Sequence, residues 1–327
     1  MTIQRRALLG ALAASPPVMT KVATPAFAQA RYPNRTIRFL IPWPPGGSLD
    51  ALHRQMFEIF QRDTGQSIVV ENMPGARGTR AAFFLTQQAR PDGYTLAHHH
   101  LSILRHPFLT RAPTWDPIMD FSYIMQITGF VFGTAVRADR GWNSFDDMIA
   151  EARRRPGELT YSTSGIATTN HLAMEDILAR RGVRMEHIPT RGSQEGVTML
   201  LGRQIDIVAD SQSWRPQVET GEFKLLSAWT PTRLPSAPNA PTLIDLGFGM
   251  SVTSPYGIVG PKGLDPEIVD ILHRSLKKAL DDEACQAIVR RWELPNEYLG
   301  PQAYLEFARE RVAYERDMVR RLNLSID

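Results

Sequence analysis

The segment Ile37–Asp50, IRFLIPWPPGGSLD, limits the fold more than any other stretch of the chain. An apolar run stops at a Pro- and Gly-rich turn, and a helical pattern, ALHRQMFEIFQRDTG, follows at once. Such a strand–turn–helix junction leaves the first N–H groups of the helix unpaired and directed at whatever lies above the turn. Gly46 and Gly47 carry no Cβ, so a ligand can approach the main chain closely. A second junction of the same plan follows at Leu159–His171, LTYSTSGIATTNH. Two such anion cradles in one chain point to a ligand held between two lobes.

Elsewhere short apolar runs alternate with helical patterns. Expected strands include Ile68–Glu71, Tyr94–Ala97, Ser122–Thr128, Val131–Arg137 and Ile205–Ala209, and expected helices include Leu49–Thr64, Thr169–Arg181 and Pro266–Leu280. Ser144 before Phe145 and Asp265 before Pro266 read as N-caps, and Gly182 reads as a C-terminal stop. This alternation predicts an α/β fold with parallel strands.

Residues 1–28 read as an export signal. Arg5-Arg6 precede the apolar run Ala7–Ala14, and Ala26-Phe27-Ala28 has the form of a cleavage site. The twin arginines fit a Tat-type signal, and a Sec signal is the alternative. The run is far shorter than the roughly 20 apolar residues of a membrane span. Of 37 basic residues, Arg5, Arg6 and Lys21 lie in this segment, which holds no acid. The remaining chain is balanced, 34 basic against 34 acidic residues, which gives no reason to expect nucleic acid. The single cysteine, Cys285, excludes an internal disulfide.

The order and spacing of several motifs resemble one family. Tyr32-Pro33, Pro42-Trp43-Pro44-Pro45-Gly46-Gly47 with Asp50 and Arg54, and Gly65-Gln66 come first. Pro74-Gly75-Ala76, Pro91-Asp92-Gly93-Tyr94-Thr95-Leu96, Pro156-Gly157-Glu158-Leu159 and Tyr161-Ser162 follow, with Gly202, Gln204, Arg233 and Pro241-Thr242 beyond them. Nearly end to end, the chain resembles the solute-binding proteins of tripartite tricarboxylate transporters, the Bug-type periplasmic receptors. The resemblance implies a two-lobed α/β periplasmic-binding-protein fold of type II, with the ligand in the interlobe cleft. Lobe 1 is expected at 29–130 plus 254–327 and lobe 2 at 131–253. It implies a monomeric receptor without cofactor, taking a di-, tri- or aromatic carboxylate and handing it to a large and a small membrane subunit. It also implies that the turns around Pro42–Asp50 and Ser162–Thr169 grip the carboxylate.

The site expectations combine both readings. In the first cradle they are Trp43, Pro45, Gly46, Gly47 and Ser48. In the second they are Ser162, Thr163, Ser164, Gly165, Thr168 and Thr169, and Asp210 follows a strand. Two departures from the family pattern bear on specificity. His98-His99-His100 stand where small residues are usual, and Arg191 occupies Pro189-Thr190-Arg191-Gly192. On an extended chain His98 and His100 share a face. They either hydrogen-bond a ligand or serve as polar loop residues, and no further cluster suggests a metal site. Arg191 is either a bidentate partner for a second carboxylate or a surface residue. Two rival functions stand beside transport. A receptor signalling to a sensor kinase would need the same closing lobes. An exported hydrolase would need a nucleophile motif, and Gly192-Ser193-Gln194-Glu195-Gly196 lacks the G-x-S-x-G spacing.

Overall fold

The computed structural model describes residues 32–321 and 323–326. The export signal expected at 1–28 lies outside the described residues. Among the described residues nine strands follow in chain order as β1 (Ile37–Ile41), β2 (Ile68–Asn72), β3 (Thr95–His100), β4 (Phe121–Arg137), β5 (Thr160–Thr163), β6 (Glu186–Pro189), β7 (Ile207–Ser211), β8 (Phe223–Ala228) and β9 (Thr253–Pro261). β1 runs parallel to β2 and β3, and β3 runs antiparallel to β9. In the other half β5 runs parallel to β6 and β7.

One long strand joins the two halves. β4 pairs with β9 from Phe121 to Val131, then with β7 and β8 from Phe132 onward. The sequence suggests two strands here, because Gly129 interrupts the apolar pattern. The strand continues because the β9 main chain pairs on both sides of that glycine, Thr128 with Tyr256 and Phe130 with Ser254. β3 likewise extends beyond the expected Ala97. Pairing of His98, His99 and His100 with Ile258, Gly257 and Tyr256 draws three histidines into the ladder.

Each half has its own core. Phe39, Phe57, Ile124 and Leu276 belong to one, and Phe145, Tyr161, Ile207 and Trp229 to the other. Phe130, at the junction, packs against both. The helix Pro301–Arg321 lays Tyr304 and Ala308 on the first half beside Leu40, Ala97 and Val259. Among the described residues no helix is long and apolar enough to cross a membrane.

Candidate functional site

β1 ends at Ile41, and after the proline turn the helix Gly47–Thr64 begins. Gly46 and Gly47 have φ of +99° and +82°, a region that only glycine enters without strain. No side chain caps this helix. Asp50, inside the first turn, is turned back on the protein: it accepts from Gly46 N–H at 3.2 Å and from Arg54 Nε at 2.8 Å. The amides at the helix start are therefore left for the space above.

The second junction is built from β5 and the helix Thr169–Arg181. The loop holds itself in shape. Gly165 N–H donates to Thr163 O at 2.7 Å, and the Thr168 hydroxyl donates to Gly165 O at 2.7 Å. Thr168 precedes the helix, yet its hydroxyl is committed to the loop and does not cap the helix. Ser164 donates to Asp210 at 2.7 Å, and Ser211 N–H donates to the same carboxylate at 2.6 Å. Burial pushes the Asp210 carboxyl up to about 6 in spite of these two bonds.

A third junction, which sequence reasoning missed, completes the set. The short β6 leads through Gly192 into the helix Ser193–Leu201, again without a side-chain cap. By contrast, Ser144, Asp265 and Asp282 cap the helices that follow them. The three uncapped N-termini come from both halves and line one cleft, whose open space is about 670 Å³ including its mouth. The halves meet closely around it. A Cβ on Gly192 would stand 2.7 Å from Pro44 Cδ, and one on Gly47 would stand 3.0 Å from Ser213 Oγ.

Arg105 ties the halves together at one edge. Its guanidinium is buried against Glu315 at 2.6 Å, donates to Ala167 O at 2.8 Å and reaches Thr169 Oγ1 at 3.3 Å. Ala167 and Thr169 belong to the second cradle.

The histidines divide by strand alternation. His99 Nδ1 lies 2.9 Å from the Tyr304 hydroxyl, on the core side with Phe121 and Tyr123. His98 and His100 face the opposite way, ring centroids 5.3 Å apart. His100 lines the cleft beside Trp43, and His98 lies behind it among His53, Tyr256 and Phe130. Burial holds these imidazoles neutral: His53 is pushed down to about 4, His99 and His100 to about 3, and His98 well below its usual value. Both ring nitrogens of His98 and of His100, with Trp43 Nε1 and Tyr256 OH, are buried without a partner among the described residues. Among the described residues no three of His, Cys, Asp and Glu are grouped to hold a metal ion.

Of the residues singled out from sequence, Trp43, Gly46, Gly47, Ser48, His100, Ser164, Thr168, Thr169 and Asp210 line the cleft. The others do not. Pro45 is exposed at the turn, Gly165 forms the loop bend, and Ser162 and Thr163 are buried beneath it. His98 and His99 are enclosed in the first half. Arg191 points to solvent, where its main-chain N–H and guanidinium bond Glu195 at 2.7 to 3.2 Å. Phe130, Phe132, Ser213 and Ser254 line the cleft without having been foreseen. Phe130 and Phe132 carried one signal, the two-residue spacing that puts them on one face of a strand.

The chain is similar to known proteins in sequence and in fold. The family described as "Tripartite tricarboxylate transporter family receptor" matches residues 52–324. A protein of Cupriavidus necator, "UPF0065 protein in gbd 5'region", is 39% identical over 326 residues, covering 99% of each chain. The periplasmic binding protein BugD superposes with a TM-score of 0.84 at 25% identity, covering 90% of this chain and 99% of that one. An R. palustris protein, Rpa4515, solved with adipate, gives 0.83 at 25% identity with the same coverage.

Proposed function

The chain belongs to the tripartite tricarboxylate transporter receptor family, and from that premise we propose that it captures a small organic carboxylate in the periplasm for the large and small membrane subunits of such a transporter. Residues 1–28 are removed on export in this reading. The halves, 29–130 with 254–327 and 131–253, close over the ligand, and the protein works as a monomer without cofactor.

One observation carries the reading: three helix N-termini without side-chain caps converge on one cleft from two halves. Each presents main-chain donors and the positive end of a helix dipole, which suits an anion. Hydroxyls of Ser48, Ser164, Thr169 and Ser193 in the same lining supply further donors. The relative solved with adipate supports a carboxylate ligand. Binding without turnover is favoured because the family is one of transporter receptors.

The test is thermal unfolding of the exported chain against mono-, di-, tri- and aromatic carboxylates and their neutral amides. A carboxylate at 100 times its Kd should add about 2.7 kcal/mol of stability, and the matching amide should add far less. Replacing Gly47 by Val should abolish the gain. Stabilisation by no carboxylate, or by amides equally, overturns the reading.

A further inference from the structure

A chain of rings runs along and behind one wall of the cleft. Phe132, Phe130, Tyr256, His98, His100 and Trp43 follow one another with successive centroids 5.9, 4.8, 5.0, 5.3 and 5.2 Å apart. Phe132, Phe130, His100 and Trp43 face the open space. Flat rings set side by side favour a flat ligand, since stacked or edge-on aromatic contacts add to plain burial.

The same wall carries polar groups that have no hydrogen-bond partner among the described residues. Trp43 Nε1 is a donor only. A neutral imidazole offers one donor and one acceptor, and His100 has neither engaged. Leaving a buried polar group unpaired is costly, so such a set marks a place where a partner is received. A hydroxyl is the matching group, because it accepts from the indole N–H and donates to the imidazole. A second carboxylate matches poorly. It only accepts, so it leaves the acceptor nitrogen of the imidazole unpaired, and no Lys or Arg lines the cleft among the described residues. Arg105 is committed to Glu315, Ala167 and Thr169, and Arg191 to Glu195.

We propose that the ligand is an aromatic monocarboxylate bearing a ring hydroxyl, its carboxylate on the helix N-termini and its hydroxyl between Trp43 and His100. This rests on the carboxylate reading above and narrows it.

Calorimetric titration of the exported chain with benzoate, 3- and 4-hydroxybenzoate, terephthalate and adipate tests it. One hydroxybenzoate should bind on the order of tenfold or more tighter than benzoate, as expected for a buried site matched to a hydroxyl. Terephthalate and adipate should bind no better than benzoate. His100→Phe and Trp43→Phe keep a ring and remove the polar atoms. Each should shrink the advantage of the hydroxybenzoate over benzoate, measured in the same variant, towards unity. Circular dichroism checks that both variants fold, and the ligand panel on the parent protein decides the question without them. Tightest binding of adipate or terephthalate overturns the proposal and leaves the carboxylate reading standing. An unchanged advantage in both folded variants overturns the placement of the hydroxyl. Binding of no carboxylate overturns both readings.

Discussion

His53, His98, His99 and His100 are buried and held neutral, which makes the fold sensitive to acid. In the unfolded chain each titrates near 6.5. Below that pH the unfolded state binds protons that the native state refuses until about 4 for His53 and about 3 for His99 and His100. Stability is therefore fully present above about 6.5 and falls as pH drops, on the order of 1 kcal/mol per pH unit for each imidazole. Asp210 acts in the opposite sense. Its carboxyl is raised from 3.8 to about 6, so its contribution is lost as pH rises through that interval. Four groups outweigh one. Urea denaturation at pH 7.5 and pH 5 should show a loss of several kcal/mol at the lower pH, and equal stability at both would contradict the burial of neutral imidazoles. The shared face of His98 and His100 was legible in the sequence. Their burial was not, because it is imposed by Tyr256 and Ile258, more than 150 residues away in β9.

Between elements, the buried pair Arg105–Glu315 is the most consequential contact. It links the helix Pro301–Arg321 to the short helix Leu101–Arg105, and the same guanidinium holds the second cradle through Ala167 O. Replacing Glu315 by Gln leaves a buried guanidinium without its counter-charge, a loss of about 3–5 kcal/mol. Denaturant titration should record a loss of this order. A loss below 1 kcal/mol would show that water reaches the pair. Two of the three cradles were readable because a long apolar run, a glycine turn and a helical pattern follow in order. The third was hidden because β6 is only Glu186–Pro189, with half-exposed side chains and no apolar run to announce it. Arg191 drew attention by its chemistry. Its partner Glu195, one helical turn on, settles its direction, and i,i+4 pairs of this kind are common on solvent faces.

Across the whole molecule, the two halves are joined in two different ways. The strands β4 and β9 run through the junction, and ion pairs Arg215–Glu293 and Arg291–Glu219 add side-chain ties between the halves. Around the cleft the meeting points are small residues and one guanidinium: Gly47 with Ser213, Gly192 with Pro44, and Arg105 with Ala167. The first set suits a hinge and the second suits an edge that opens. Small-angle scattering should give a larger radius of gyration without ligand than with saturating ligand, the latter matching the arrangement described here. Equal values would argue against closure by a hinge. The two-lobed α/β architecture was legible from motif order and strand–helix alternation. The continuity of β4 was not, since only pairing with β9 carries the strand past Gly129.

The cradles are made of main chain, and exchanging the side chains of the opposite wall leaves their amides in place. A lineage carrying this scaffold can therefore exchange Trp43, His100, Phe130 or Phe132 and change what it collects, without rebuilding the part that holds the charge. Grip and taste are inherited separately, and new diets become reachable in single steps.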